Sequence, residues 1–211
     1  LDAMKEIIRT DTANRMTEDL VIELLENKIK NVDLANQRFS ELGLSIYEMK
    51  TVILLKMNDL DDTFSQKKQQ LKSIQESKKH IRAICHKVFR QQNVSVLSIW
   101  KSNELVILPY VQTISEANLL AKKVYNQIIK ERKDNHYVMG VGEYCSYPME
   151  LSRSYNEAQE AIKMGEKLNF QYQPLKQVFY FSELGFYQLF TNLMRDTYHL
   201  QQFCKRLDPI I

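Results

Sequence analysis

Glycine and proline are scarce, five and four in 211 residues. That argues against low-complexity tracts and against a turn-dense β sandwich. The three cysteines, Cys85, Cys145 and Cys204, are odd in number, far apart and without CxxC spacing, so they form neither a disulfide framework nor a zinc ribbon. His80, His86, His136 and His199 add no ligand pattern around them. Reduced, mostly buried thiols in a cytoplasmic protein are the expectation. No run approaches the ~18 apolar residues of a membrane helix, and residues 1–30 lack a signal-peptide pattern. A net charge of +3 is too small to imply a polyanion partner by itself. There is no P-loop, nucleophile elbow, HExxH or dinucleotide fingerprint, and no internal repeat. What is present is a globular composition, 44% hydrophobic and 26% charged, in a chain long enough to bury a core.

The apolar spacing predicts the elements in order. Residues 2–30 read as helical, with Leu20, Val21, Leu24, Leu25 and Ile29 as a stripe; Met4, Ile7 and Ile8 begin a similar stripe upstream. Whether one helix runs through or two meet near Thr17 stays open. A second helix, Asp33 to Leu42, ends at Gly43 as a left-handed cap. Thr51 to Met57 is a near-continuous apolar run, as in a central strand covered on both faces. A long helix follows from about Asp62 to Gln91. Val94–Trp100 and Glu104–Tyr110 then form a hairpin around Lys101-Ser102-Asn103. Ser115 is the expected N-cap of a helix to Lys133, with Ala117, Leu120, Ala121, Val124 and Ile128 inward. Tyr137–Gly142 is a strand, and Ser146 or Pro148 opens the next helix. Val178–Phe181 is a short edge strand. Ser182 caps a further helix, and a last one covers about Tyr198–Arg206.

From Thr51 the order is β-α-β-β-α-β-α-β. The fold class is α+β: a ferredoxin-like β-α-β-β-α-β core with helices flanking the sheet, plus N-terminal and C-terminal helical extensions.

Two features invite chemistry. The helix from Asp62 carries Lys67, Lys68, Lys72, Lys78, Lys79, Arg82, Lys87 and Arg90 against Glu76. It reads as a solvated face, a partner-docking surface or a phosphate-tracking helix. Ser154 and Glu157, in SYNEAQEA, could suggest a catalytic pair. Helical spacing instead puts Tyr155, Ala158 and Ile162 inward and Glu157 and Glu160 outward.

The stretch MGVGEYCSYPMELSRSYNEAQEAIKMGEKLNFQYQPLKQVFYFSELGFYQLF, from Met139 to Phe190, resembles the degenerate GGDEF-like module of the PucR/CdaR family of bacterial transcription regulators. The SYNEAQEA run is similar to that family's SYxEAxxA, whose implied role is packing its helix onto the sheet. Leu20 to Leu44 looks like the family's leader, and FCKRLDPII looks like the linker into its helix-turn-helix. In catalytic GGDEF domains the hairpin carries GG[DE]EF: the glycines admit the nucleotide and the acids bind metal. Here SIWKSNELVILP puts Trp100, Lys101, Ser102 and Asn103 in that place, with Glu104 one position off register. Trp100 would fill space that a base or ribose needs, and Lys101 would oppose a metal. The catalytic first strand ends in an aspartate where alignment puts Lys56, with Asn58 two residues on; Asp59 or Asp61 fits only if the strand is displaced. The inhibitory RxxD is Arg90-Gln-Gln-Asn93.

The resemblance implies a cytoplasmic, non-catalytic signal-relay and dimerisation module, with no catalytic, cofactor-binding or metal-binding residue and no cofactor. Its partners would be a second copy, an upstream sensor, and DNA only through a helix-turn-helix outside the chain. The leader's apolar patches Met4/Ile7/Ile8 and Leu20/Leu24/Leu25 offer a candidate surface for the second copy, the alternative being that both fold back on the core of the same subunit. The alternatives are the similar module of an AraC-type response regulator or a nucleotide-binding, cyclase-like domain. Leu1 and the apolar end Ile210-Ile211 suggest a piece of a longer protein. The expected division is 1–44 leader helices, 45–182 GGDEF-like domain and 183–211 C-terminal helices.

Overall fold

A computed structural model describes residues 2–58, 67–132, 136–169 and 178–185. Its elements are α1 (Asp2–Leu25), α2 (Val32–Glu41), β1 (Ile53–Asn58), α3 (Lys67–Gln91), β2 (Val96–Lys101), β3 (Glu104–Pro109), α4 (Ile114–Glu131), β4 (His136–Val141), α5 (Leu151–Asn169) and β5 (Val178–Tyr180). The strands order β2-β3-β1-β4-β5, with β1 antiparallel to both β3 and β4 and the edge strand β5 parallel to β4. The first four strands in that order are the ferredoxin-like sheet; β5 extends it. Residues 186–211, which include the expected helix Tyr198–Arg206, lie outside the described residues.

Strand alternation splits the core into two layers. Ile53, Leu55, Leu105, Ile107, Tyr137 and Met139 face α3 and α4. Leu54, Ile99, Val106, Leu108 and Val138 face the other way, onto α1, α2 and α5. Both faces are covered, which is why the TVILLKM run is apolar almost throughout.

The leader is one helix through Thr17, ending at Leu25. Its Leu20, Val21, Leu24 and Leu25 are buried against the chain's own sheet and α5. The expectation that Leu20, Leu24 and Leu25 need a second copy is therefore corrected: they are buried in the chain's own core, where α1 packs on β2, α2 and α5. Further upstream, Asn14, Arg15 and Met16 are all exposed. Three consecutive helical residues sweep about 200° of arc, so the helix stands clear of the described fold at that point.

Glycine's scarcity shows at the turns. Gly43, with φ of 71°, ends α2 as expected, with Gly43 N–H on the Ser40 carbonyl and Leu44 N–H on that of Phe39. This is a Schellman cap. Asn27 ends α1 the same way, and Asn93 ends α3, each at positive φ. Asn93, aligned above with the last position of RxxD, is thus a helix cap. The starts differ from expectation in register. Asn31 caps α2 through Oδ1, and Thr113, not Ser115, caps α4 by accepting the Glu116 amide. The helical stretch after β5 begins at 181 rather than after a Ser182 cap.

Candidate functional site at the hairpin and the end of the leader helix

The β2–β3 turn holds Ser102 at φ 55°, a conformation that glycine adopts freely. Asn103 closes the hairpin onto the end of β1: its side-chain amide donates to the Met57 carbonyl at 3.1 Å, and its own carbonyl accepts the Met57 amide. Register then places Lys101, Glu104 and Lys56 side by side on three adjacent strands. All three side chains meet partners in the α1/α5 layer. The row alternates cation, anion, cation.

Each charge in the row is held by a partner. Lys56 Nζ donates to both oxygens of Glu166 on α5, at 2.9 and 3.2 Å. Glu104 accepts from the Tyr155 hydroxyl and from Gln159, both at 3.3 Å. Lys101 Nζ lies 2.9 Å from Glu26, just past the end of α1, and 4.9 Å from the centre of the Tyr155 ring. Burial works against the Lys101 charge, yet Glu26 and Tyr155 together hold its pKa above the ordinary lysine value. Hydrogen bonding from Lys28 and then Lys101 lowers the Glu26 carboxyl to about 2. The position that alignment matches to a catalytic aspartate is thus a lysine already committed to an acid. A polar cleft of about 330 Å³ opens beside the cluster, lined by Glu26, Lys101, Tyr155 and Gln159 among others.

Trp100 points to the opposite face, half-buried against α3, with the Lys78 ammonium 5.2 Å from its ring centre. Its indole nitrogen is buried without a partner among the described residues. Lys78 also donates to the Ser102 carbonyl, so α3 braces the hairpin. Asp59 and Asp61 lie outside the described residues, as do Cys204, His199 and the His136 side chain. Among the described residues, no three His, Cys, Asp or Glu side chains group as a metal site. Cys85 and Cys145 are buried free thiols that desolvation pushes up to about 12 and about 11. His86 is lowered by desolvation and by Arg82 and Arg90, and sits 2.8 Å from the Ser98 hydroxyl.

The last part of α1 is tied down at three points besides its apolar stripe. Glu18 meets Arg82 of α3 at 3.5 Å, Glu23 meets Arg38 of α2 at 2.6 Å, and Glu26 meets Lys101 of the hairpin. Sequence spacing gave no sign of these pairs.

SYNEAQEA is built for close packing. Ser154 is buried and its hydroxyl accepts the Val52 amide at 3.0 Å, where the chain enters β1. Ala158 lies against Gly140, and Ser154 against Gly142, so closely that a Cβ on either glycine would strike helix backbone. Glu157 corrects the outward reading: it is half-buried and accepts the Glu143 amide at 2.9 Å, holding the loop after β4. Glu160 is exposed, as its spacing predicts.

The family model described as "GGDEF-like domain" matches residues 29–164, well over half of the chain. The match spans α2 through most of α5 and includes the whole charged row, while the acidic partners Glu26 and Glu166 lie outside it. No curated protein matches the chain significantly. No helix among the described residues is long and apolar enough to cross a membrane.

Proposed function

The chain belongs to the GGDEF-like domain family, and we propose that it is a non-catalytic signal-relay and dimerisation module of a bacterial transcription regulator of the PucR/CdaR kind. The observation that carries this is the charged row. Metal-assisted phosphoryl chemistry needs carboxylates converging on cations. Here two lysines flank the single hairpin acid, and each member of the row is engaged in packing α1 and α5 onto the sheet.

The same contacts supply a route for a signal. A shift of α1, arriving from an upstream sensor, would act on the hairpin through Glu26–Lys101 and on α3 through Glu18–Arg82. The second copy engages α1 upstream of Thr17, where Asn14 to Met16 are exposed and sequence spacing sets Met4, Ile7 and Ile8 on one helical face. DNA is read by a helix-turn-helix outside this chain.

Two measurements test the reading. Incubation with GTP or ATP and Mg²⁺ or Mn²⁺ is expected to yield no cyclic product above a no-protein control; product overturns the non-catalytic assignment. Sedimentation at roughly 100 μM, well above a micromolar Kd, is expected to show a dimer that Met4→Asp with Ile8→Asp dissociates. A monomeric wild type overturns the dimer.

A further inference from the structure

The charges of this chain are segregated by layer. The stretches Lys67–Gln91 and Ile114–Arg132, which are α3 and α4 with one flanking residue, hold twelve Lys and Arg against three acids. The rest of the chain holds seventeen against twenty-three. A net charge of only +3 therefore conceals two strongly basic helices in an otherwise net-acidic chain.

The exposed cations of the basic layer are aligned. On α3, Lys79, Lys87 and Arg90 are exposed and fall within about 80° of arc, spread over about 16 Å of helix. On the neighbouring α4, Lys122 and Lys130 are exposed as well. The helices run antiparallel: Lys123 donates to Gln92 just past the end of α3, and Arg132 to Ser77 about three turns from its described start. Lys130 therefore lies level with the Lys79 end, and Lys122 with the Arg90 end. Of the ion pairs among the described residues, only His80 with Glu131 joins these two helices. None of the five cations has an acidic partner within ion-pair distance there; Lys87 feels Glu131 at longer range.

We infer that the α3/α4 face is a docking surface for the phosphate backbone of duplex DNA, read without regard to sequence. Five exposed cations without an ion-pair partner among the described residues, on a two-helix face of this span, match a run of phosphates, and counterion release supplies the free energy. Packing alone does not account for them, because they are exposed while the apolar contacts between the layers are made by Ile81, Ile84, Val88, Leu120 and Val124. In a regulator anchored to an operator by another segment, this face would grip flanking DNA. The choice of DNA as the polyanion rests on the regulator reading above; the surface itself does not.

The test is fluorescence anisotropy of this chain with a 30-base-pair duplex of arbitrary sequence, from 20 to 200 mM salt. The first variant is Lys79→Glu, Lys87→Glu, Arg90→Glu; the control is Lys30→Glu, Lys163→Glu, Lys167→Glu, an equal charge change on exposed positions of the other layer. Thermal melts verify that both fold. Wild-type binding should weaken steeply with salt. The α3 variant should lose at least tenfold at 50 mM, and its slope of log K against log salt should flatten by about 2.7, for three phosphates no longer neutralised. The control should stay within about threefold. No wild-type binding at 20 mM salt, or equal losses in both variants, overturns the surface. Equal competition by poly-glutamate at matched charge reassigns it to an acidic protein. Neither outcome bears on cyclase activity or dimerisation, so failure here is separable from failure of the function proposed above.

Discussion

The Ser154 hydroxyl accepts the Val52 amide at 3.0 Å, inside the interface where α5 lies on the sheet. Both groups are fully buried, so neither can turn to water. Ser154→Ala is expected to cost about 1–3 kcal/mol, the penalty of a buried donor left unsatisfied. Urea unfolding of the two proteins measures it. A change below about 0.5 kcal/mol would show that the bond does not anchor α5.

Gly140 allows the Ala158 carbonyl to pass directly over β4. Gly140→Ala must push helix backbone from strand backbone, and a loss of about 3 kcal/mol is expected. Among the described residues a methyl group on Gly185 would meet nothing within 4 Å, so Gly185→Ala should be neutral or slightly stabilising. Denaturant midpoints for both variants should separate clearly.

Leu24 is 1% exposed. Leu24→Asp would bury an unpaired carboxylate, so it should unfold or severely destabilise the protein rather than merely dissociate a dimer. Circular dichroism beside sedimentation distinguishes the two. A well-folded monomer would mean that Leu24 faces a second copy after all.

The Glu26 carboxyl, lowered to about 2 by Lys28 and Lys101, makes the linkage pH-dependent with a definite sign. Because the folded pKa lies below the unfolded one, its contribution is present above the ordinary carboxylate range and disappears as pH falls toward 2. The stability difference between wild type and Glu26→Gln should be constant above about pH 5 and shrink below about pH 4. Solvent still reaches the Glu26 side chain, 30% exposed, and together with salt screening it keeps the effect small. A difference that grows on acidification would contradict the assignment.

Much of this architecture was legible because burial writes itself into periodicity. The near-continuous apolar run Thr51–Met57 announced a strand covered on both faces, and Ala117, Leu120, Ala121, Val124 and Ile128 marked the inner face of α4. Caps were less legible where two suitable residues stood close together. Thr113 and Ser115 both suit an N-cap, and only the backbone path selects Thr113. Glu157 escaped because helical spacing distinguishes the core from its opposite side, but not from a loop folding over the flank, as Glu143 does here. The pairs that define the hairpin site were beyond reach for a simpler reason. Lys56 and Glu166 are 110 residues apart, and Glu26 and Lys101 are brought together only once α1 lies along α5. Local patterns hold no record of such encounters. Substitution of the metal-binding pattern was readable; the contacts that occupy its place were not.

Amide hydrogen exchange across residues 96–109 tests the central claim most directly: that this hairpin is held by α1 and α5 rather than by nucleotide and metal. In Glu26→Gln the hairpin amides should exchange several-fold faster while β4 is unchanged, and GTP with Mn²⁺ should leave wild-type exchange as it was. Hairpin exchange indifferent to Glu26→Gln but slowed by GTP with Mn²⁺ would contradict the account.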